Sequence, residues 1–585
     1  MPRFLALATC LWLLSACATT DTPSTGSGPA VDASASAITE TPEPSERAFP
    51  DDSLYPMLVA EFAIRRREFD VALDTYMTLA PDLQDAGVSA HTTNLGQYMQ
   101  RYDDALESAR LWVELEPDSI EANSTLASLL VRQGRAAEAL PYLGVVERGG
   151  THARFPALLA GYDDLTPQQQ VELAAGIDEL AAEFPDNTEL LLTQALIFTE
   201  AQDYAQALEK LDRILELEPR HSTALIMEAE ILLNQQARRP FARLEKALRA
   251  EPDDSELRMQ YARMLTGTDL DAARKQFEIL SAQAPGDADL LFSLALLNRE
   301  IGDYDAASAY LEQVVELDTR VGEAYYYLGK MEEDRGRPLE AVPYYQLIEE
   351  GREFLPGNKR LAEILVAENR LDQLDDVFTA QRQRYPSLSE PLYGLEADVL
   401  ATAGYTDEAL ARLDGGLQVI PQSTSLLYSR AMILEKSGDL EAMEADLRDI
   451  LSREPDNATA LNALGYTLTN RTDRHGEAMA LITKALELEP NEPAILDSMG
   501  WVLYRKGRNQ EALDYLTRAY AMFPDPEVAA HLGELLWVTG DTEGAMNIWQ
   551  GAALRDPDHP TLTETMERFG VTLPGAGSGE ATDPQ

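Results

Sequence analysis

Between Pro490 and Pro524 the apolar residues return at helical spacing in two runs. Leu496, Met499, Gly500 and Leu503 fall on one face of the first, and Ala512, Leu516 and Ala519 on one face of the second. Gly507 separates the runs, which predicts two helices joined by a tight turn. Gly500 and Ala512 are small enough to let the helices approach closely. Pro524 ends the pair, because proline lacks the amide that a continuing helix needs.

The same punctuation recurs along the chain, at Pro117, Pro185, Pro219, Pro252, Pro285, Pro386, Pro421, Pro455, Pro490, Pro524 and Pro557. Most intervals are 33–35 residues, and the two long ones, 68 and 101, are close to two and three of the same period. Upstream, Ala72 and Ala105 stand 33 apart, and each opens a second helix. One such pair cannot bury its own apolar face, so neighbours must stack. The small residue at Gly500, the alanine at Ala512 and the closing proline at Pro524 resemble the tetratricopeptide repeat. That resemblance implies an all-α, right-handed superhelical solenoid of about fifteen TPR-type helix-turn-helix units.

Five stretches follow. Residues 1–16 carry Arg3 and an apolar run from Phe4 to Leu14, too short to span a bilayer, and read as a signal peptide. Residues 17–50 are Thr, Ser, Ala, Pro, Gly and acids without apolar period, hence a flexible tether. Residues 51–557 are the solenoid, 558–570 a capping helix and 571–585 a loose tail. Three irregularities stand out. Pro156 enters the first helix of one unit, whose second helix opens on Thr166-Pro167 as N-cap and N1. Pro240 is placed at N1 of its helix. Leu374 replaces the usual small residue and predicts wider helix spacing.

Leu14-Ser15-Ala16-Cys17 resembles the lipobox of bacterial lipoproteins, which implies cleavage before Cys17 and acylation of that residue. Ala18 stands where an aspartate tends to retain Gram-negative lipoproteins in the inner membrane, so the resemblance implies the outer membrane, facing the periplasm. Cys10 would leave with the signal. The remaining chain has no cysteine, so no disulfide framework forms.

Asp and Glu number 100 against 48 Lys and Arg, a net charge of −52. Nucleic acid, whose backbone demands a basic face, is argued against as a partner, and so is loose docking on anionic lipid. The acidity reads as a solvated solenoid surface; a saline habitat or a basic partner is the sharper reading. His91, His152, His221, His475, His531 and His559 stand apart in sequence, without a His-Glu-x-x-His pair. Phosphate loop, dinucleotide fingerprint, nucleophile elbow and calcium loop are all missing, so neither an enzyme nor a cofactor or metal site is expected.

What such an array offers is a groove lined by its first helices. The repeat register puts Phe292, Tyr326, Tyr393, Tyr428, Tyr466, Trp501, Tyr504 and Trp537 there as exposed rings, with Asn462, Asp497 and Glu534 as polar partners for a peptide backbone. Tyr466, Trp501 and Trp537 are expected to share one surface. The first unit opens on Leu54, Tyr55, Met57 and Leu58, unusually apolar for an array end. It is read either as packing on the second unit or as a docking surface.

The sequences Asn462-Ala-Leu-Gly-Tyr466, Ile495-Leu-Asp-Ser-Met-Gly-Trp501 and His531-Leu-Gly-Glu534, with Leu54-Tyr55 and Leu58-Val-Ala-Glu-Phe-Ala63, resemble a family of proteobacterial outer-membrane TPR lipoproteins. One member of that family is the adaptor of a periplasmic carboxyl-terminal processing protease that trims cell-wall hydrolases. The resemblance implies a lipid-anchored, non-enzymatic adaptor with that protease and peptidoglycan hydrolases as partners. The alternative is a scaffold for outer-membrane, envelope or exopolysaccharide assembly machinery.

Overall fold

The computed structural model describes Pro50 and residues 52–571. Cys17, the apolar run before it, the tether and the tail from residue 572 lie outside the described residues. The chain folds into thirty α-helices and three short 3-10 helices, with no strand among the described residues. None of these helices is long and apolar enough to cross a membrane.

Two compact units divide between Leu217 and Glu218. In the first, hairpins span residues 54–83, 86–115 and 120–148, followed by an irregular unit and a hairpin over residues 188–217. The second holds ten hairpins from Ser222 to Ala553 and a closing helix, Pro560–Arg568. The fifteen units agree with the proline ladder.

Most hairpins share the same local signals, although the first helices opening at Leu54, Val321, Phe354, Ser389 and Pro493 have no side-chain cap. A short polar side chain opens the first helix: Ser119 accepts from the Ala122 amide, Asn187 from Leu190, Asp254 from Leu257 and Asn457 from Ala460. The turn then needs a left-handed residue, which Gly507 supplies at φ 75° without a Cβ clash. At the far end the closing proline forces its predecessor out of helical geometry. Phe523 sits at φ −143°, ψ 96° before Pro524, and Glu489 at φ −131°, ψ 78° before Pro490. Between these limits the small positions let helices touch. A Cβ on Gly500 would overlap the Leu516 side chain and lie 3.1 Å from the Ala512 carbonyl oxygen, and Gly533 faces the fully buried Trp549 ring in the same way.

The irregular unit departs from expectation. No α-helix contains Pro156; two 3-10 helices, Phe155–Leu159 and Tyr162–Asp164, stand in its place. Fully buried Phe155 and Leu158 fill the core that the missing helix would have covered. Thr166 and Gln169 form a reciprocal capping box, with Pro167 at N1. Pro240, by contrast, lies ahead of the helix Ala242–Ala250. Phe241 takes the capping place, held edge-on against Tyr261 at 5.2 Å, and delays the helix start. Leu374 is fully buried, and its helix meets Phe354–Ala367 less closely than the helices of most hairpins meet.

Successive hairpins are also linked by arginine: Arg148 to Glu183 at 2.7 Å, Arg299 to Asp334 at 2.6 Å and Arg335 to Asp305 at 2.5 Å. Exposed pairs like these are individually weak. Their consequence is that most of the chain's scarce cations are already committed.

Candidate functional site

The upstream rings of the expected groove lie on the helices Ala288–Ile301, Val321–Asp334, Ser389–Thr402 and Thr424–Ser437. Phe292 is buried, which corrects the expectation of an exposed ring. The Arg320 guanidinium at the start of the next hairpin lies 4.0 Å from its centre, and Tyr327 meets it edge-on at 5.3 Å. Tyr326 is half-buried between Tyr327 and Tyr345, each 5.8 Å away. Tyr393 is half-buried under Arg382, 4.1 Å from its ring. Tyr428 is half-buried, and burial pushes its phenol above the usual range. A cleft of about 560 Å³, unforeseen from sequence, opens between Ser255–Thr266 and Ala288–Ile301, over Met259, Leu270, Phe277 and Leu296, with Arg263 at its edge.

The downstream residues form a connected cluster. Tyr466, on Ala458–Arg471, donates its hydroxyl hydrogen to Glu527, and its oxygen lies 3.3 Å from His531 Nε2. The other ring nitrogen, His531 Nδ1, is 2.9 Å from the Asp497 carboxylate. Trp501 stacks on the His531 ring at 4.0 Å and donates its indole N–H to Asn470. Tyr504 lies 5.1 Å from Trp501 and donates to Glu534 at 3.0 Å, and Glu534 pairs with Arg568 of the closing helix. Asn462 is half-buried, and its side-chain oxygen is enclosed without a hydrogen-bond partner.

Trp501, Asp497 and Glu534 are therefore buried and committed, where free groove rings and carboxylates were expected. The reason is that each helix of a stack is covered by the next. Trp537, expected to share a surface with Tyr466 and Trp501, packs in the aromatic group of the last hairpin and closing helix. It stacks on Trp549 at 5.6 Å and packs near Phe569 at 6.1 Å.

The electrostatics of the cluster follow from burial and charge. Burial by itself pushes the fully enclosed His531 imidazole down, but the Asp497 charge and hydrogen bond, with Glu527 and Glu534 behind them, outweigh it and raise its pKa. Burial and the carboxylates of Glu527 and Asp497 raise the Tyr466 phenol, while burial and Glu534 push Tyr504 up to about 12. No group of three or more His, Cys, Asp or Glu is arranged to hold a metal among the described residues.

Sequence reading missed His531, Asn470, Glu527 and Arg568. The available signal was the period: Asp497 and His531 are 34 residues apart, as are Glu534 and Arg568.

At the other end of the chain, Leu54, Tyr55 and Leu58 are exposed, Tyr55 to 77%, and Met57 is half-buried. Phe62, one turn beyond Leu58, extends the same apolar face at 55% exposure.

Comparison with known proteins places these features. The tetratricopeptide repeat family matches residues 192–237, 265–307, 294–356, 428–493 and 498–560. A TPR repeat-containing protein of Pseudomonas aeruginosa is 38% identical over 539 residues, spanning 91% of this chain and 90% of the relative. Cellulose synthase operon protein C of Pseudomonas fluorescens is 28% identical over 251 residues, 39% of this chain and 19% of that protein. Among solved structures, a thermophilic TPR protein of Thermus thermophilus aligns at 20% identity and TM-score 0.29, over 31% of this chain and all of its own. With its repeated helical hairpins and a relative matched almost end to end, the chain belongs to the tetratricopeptide-repeat proteins, scaffolds for protein–protein interaction.

Proposed function

We propose that this chain is a non-enzymatic, lipid-anchored adaptor at the periplasmic face of the outer membrane. In this reading it holds a carboxyl-terminal processing protease together with the peptidoglycan hydrolases that the protease cuts. Acylated Cys17 and the tether after it keep the array at the membrane and raise the local concentration of both partners. The groove side of the downstream hairpins, from Tyr428 and Asn462 to Tyr504, receives the client.

The observation that carries the reading is the apolar face of the helix Leu54–Arg66. Leu54, Tyr55, Leu58 and Phe62 face solvent together on a chain of net charge −52. Large exposed apolar patches of this kind mark interaction sites. An adaptor needs two surfaces, and this face lies far in sequence from the Tyr466–Trp501 cluster.

The experiment is isolation of the full-length protein from membranes with its bound partners, followed by mass spectrometry. Recovery of a serine-type processing protease and cell-wall hydrolases is expected, and both should be lost when Leu54, Tyr55 and Leu58 are changed to serine. Recovery of envelope-assembly proteins instead would replace the protease reading. Cys17→Ala should leave the outer-membrane fraction; retention there would refute the anchor.

A further inference from the structure

The hairpin of residues 222–250 reverses the charge of the chain around it. Residues 236–250 contain five cations, Arg238, Arg239, Arg243, Lys246 and Arg249, and one carboxylate, Glu245. All five cations are exposed. Arg243 meets Glu228 at 3.2 Å and Arg249 meets Glu245 at 3.7 Å. No ion pair engages Arg238, Arg239 or Lys246 among the described residues. Along the whole chain carboxylates outnumber cations 100 to 48.

Folding gives no reason for this placement. Arg238 and Arg239 precede Phe241, the capping residue of Ala242–Ala250, so they stand at the end of the helix where the macrodipole is already positive. Other adjacent cations, Arg65 to Arg67 and Arg505–Lys506, close the helices Leu54–Arg66 and Pro493–Arg505, where the dipole is negative and cations are stabilising. Those runs have a structural explanation, and the run at Arg238 has none. Beyond the loop, Arg243, Lys246 and Arg249 follow at intervals of three along a helix of nine residues, about 13 Å of charged surface.

We propose that the Arg238–Arg239 loop and the helix Ala242–Ala250 form a docking surface for an acidic protein segment, a short extended run of Asp and Glu on a partner. Charge complementarity selects the sign, and the surroundings select the shape. Glu228 and Glu230 lie on the first helix of the same hairpin, and Glu251, Asp253, Asp254 and Glu256 follow it directly. Screening extends over about 8 Å at physiological ionic strength. A planar anionic membrane or a nucleic acid duplex would bring its charge within that range of these carboxylates and be repelled. A single peptide strand can lie on the island alone. The surface uses none of the groove residues and none of the Leu54 face, and it stands whether or not the partner of those faces is a protease.

The test is fluorescence anisotropy of a labelled oligoglutamate peptide against the full-length protein. Binding that weakens as salt rises is expected. The combined variant Arg238→Glu, Arg239→Glu, Lys246→Glu should weaken it by at least about tenfold, with an unchanged melting temperature. The same positions changed to Gln should show a smaller loss; if the Glu variant melts early, the Gln variant decides. Arg65→Glu, Arg66→Glu, Arg67→Glu should bind as the parent does. Absence of peptide binding, or an equal loss in the Arg65–Arg67 control, would overturn the proposal. So would tighter binding to phosphatidylglycerol vesicles or duplex DNA than to the peptide, since that assigns the island to a membrane or a nucleic acid.

Discussion

The helices at the two ends of the described chain treat their apolar residues in opposite ways. Pro560–Arg568 turns fully buried Leu562 inward onto the last hairpin and sends Arg568 to Glu534, so its outer face is polar. Leu54–Arg66 buries Ala60 and Ala63 against its own hairpin and leaves Leu54, Tyr55, Leu58 and Phe62 outside. A stack of repeats needs a polar end to stay soluble. The C-terminal end meets that need and becomes a tightly interlocked body. The N-terminal helix leaves an apolar face exposed instead, and the proposed function assigns that face to a partner. The contrast predicts that substitutions at one end will cost stability and at the other will cost binding.

The largest stability effect should come from Asp497→Ala, which leaves buried His531 without its carboxylate partner and should cost about 3–5 kcal/mol. Denaturant titration of the full chain checks it; a loss under about 1 kcal/mol would mean that the pair is solvated. Trp501→Ala should cost about 3–5 kcal/mol by cavity formation. Measuring partner affinity on the same variant separates roles. Affinity per folded molecule that stays unchanged removes Trp501 from the groove.

Gly500→Leu and Gly533→Leu should each cost about 1–3 kcal/mol through overpacking against Leu516 and Trp549. Neutral behaviour at both would mean that these hairpins are not closely packed.

The pH dependence of the C-terminal end has a definite sign. The His531 pKa is raised above its unfolded value, so the stability it contributes is complete below about pH 6.5 and is lost as pH rises through the folded value. Thermal melts of the parent should fall on the alkaline side, and His531→Gln should flatten that slope. A parent whose melting rose there would contradict the raised His531 pKa.

The smallest stability effect belongs to the other end. Leu54→Ser, Tyr55→Ser and Leu58→Ser should each change stability by no more than about 0.5 kcal/mol, while together abolishing partner recovery. If they destabilise the chain instead, the face is internal packing and the contrast between the ends fails.

Much of this organisation was legible from single residues. The closing prolines, the turn at Gly507 and the close approach at Gly500 and Ala512 act on the backbone within a few residues, so reading them needs no knowledge of what lies across the fold. The same is true of Thr166 as an N-cap. Pro156 was harder: its effect on the helix was readable, but the replacement by two 3-10 helices depended on Phe155 and Leu158 finding a buried site.

For the candidate groove, sequence determined which residues share the first-helix face, because the period of the repeat sets that register. It did not determine which of them are free. Trp501 lost its exposure to His531 and Phe292 to Arg320, each from a later hairpin, and Glu534 lost its exposure to Arg568 of the closing helix. Whether such groups meet depends on the offset and rotation between stacked units, a small angle that packing decides and no local pattern encodes. The upward shift of His531 belongs to the same category, since burial alone pushes the imidazole down and the neighbouring carboxylates, brought in by stacking, outweigh it.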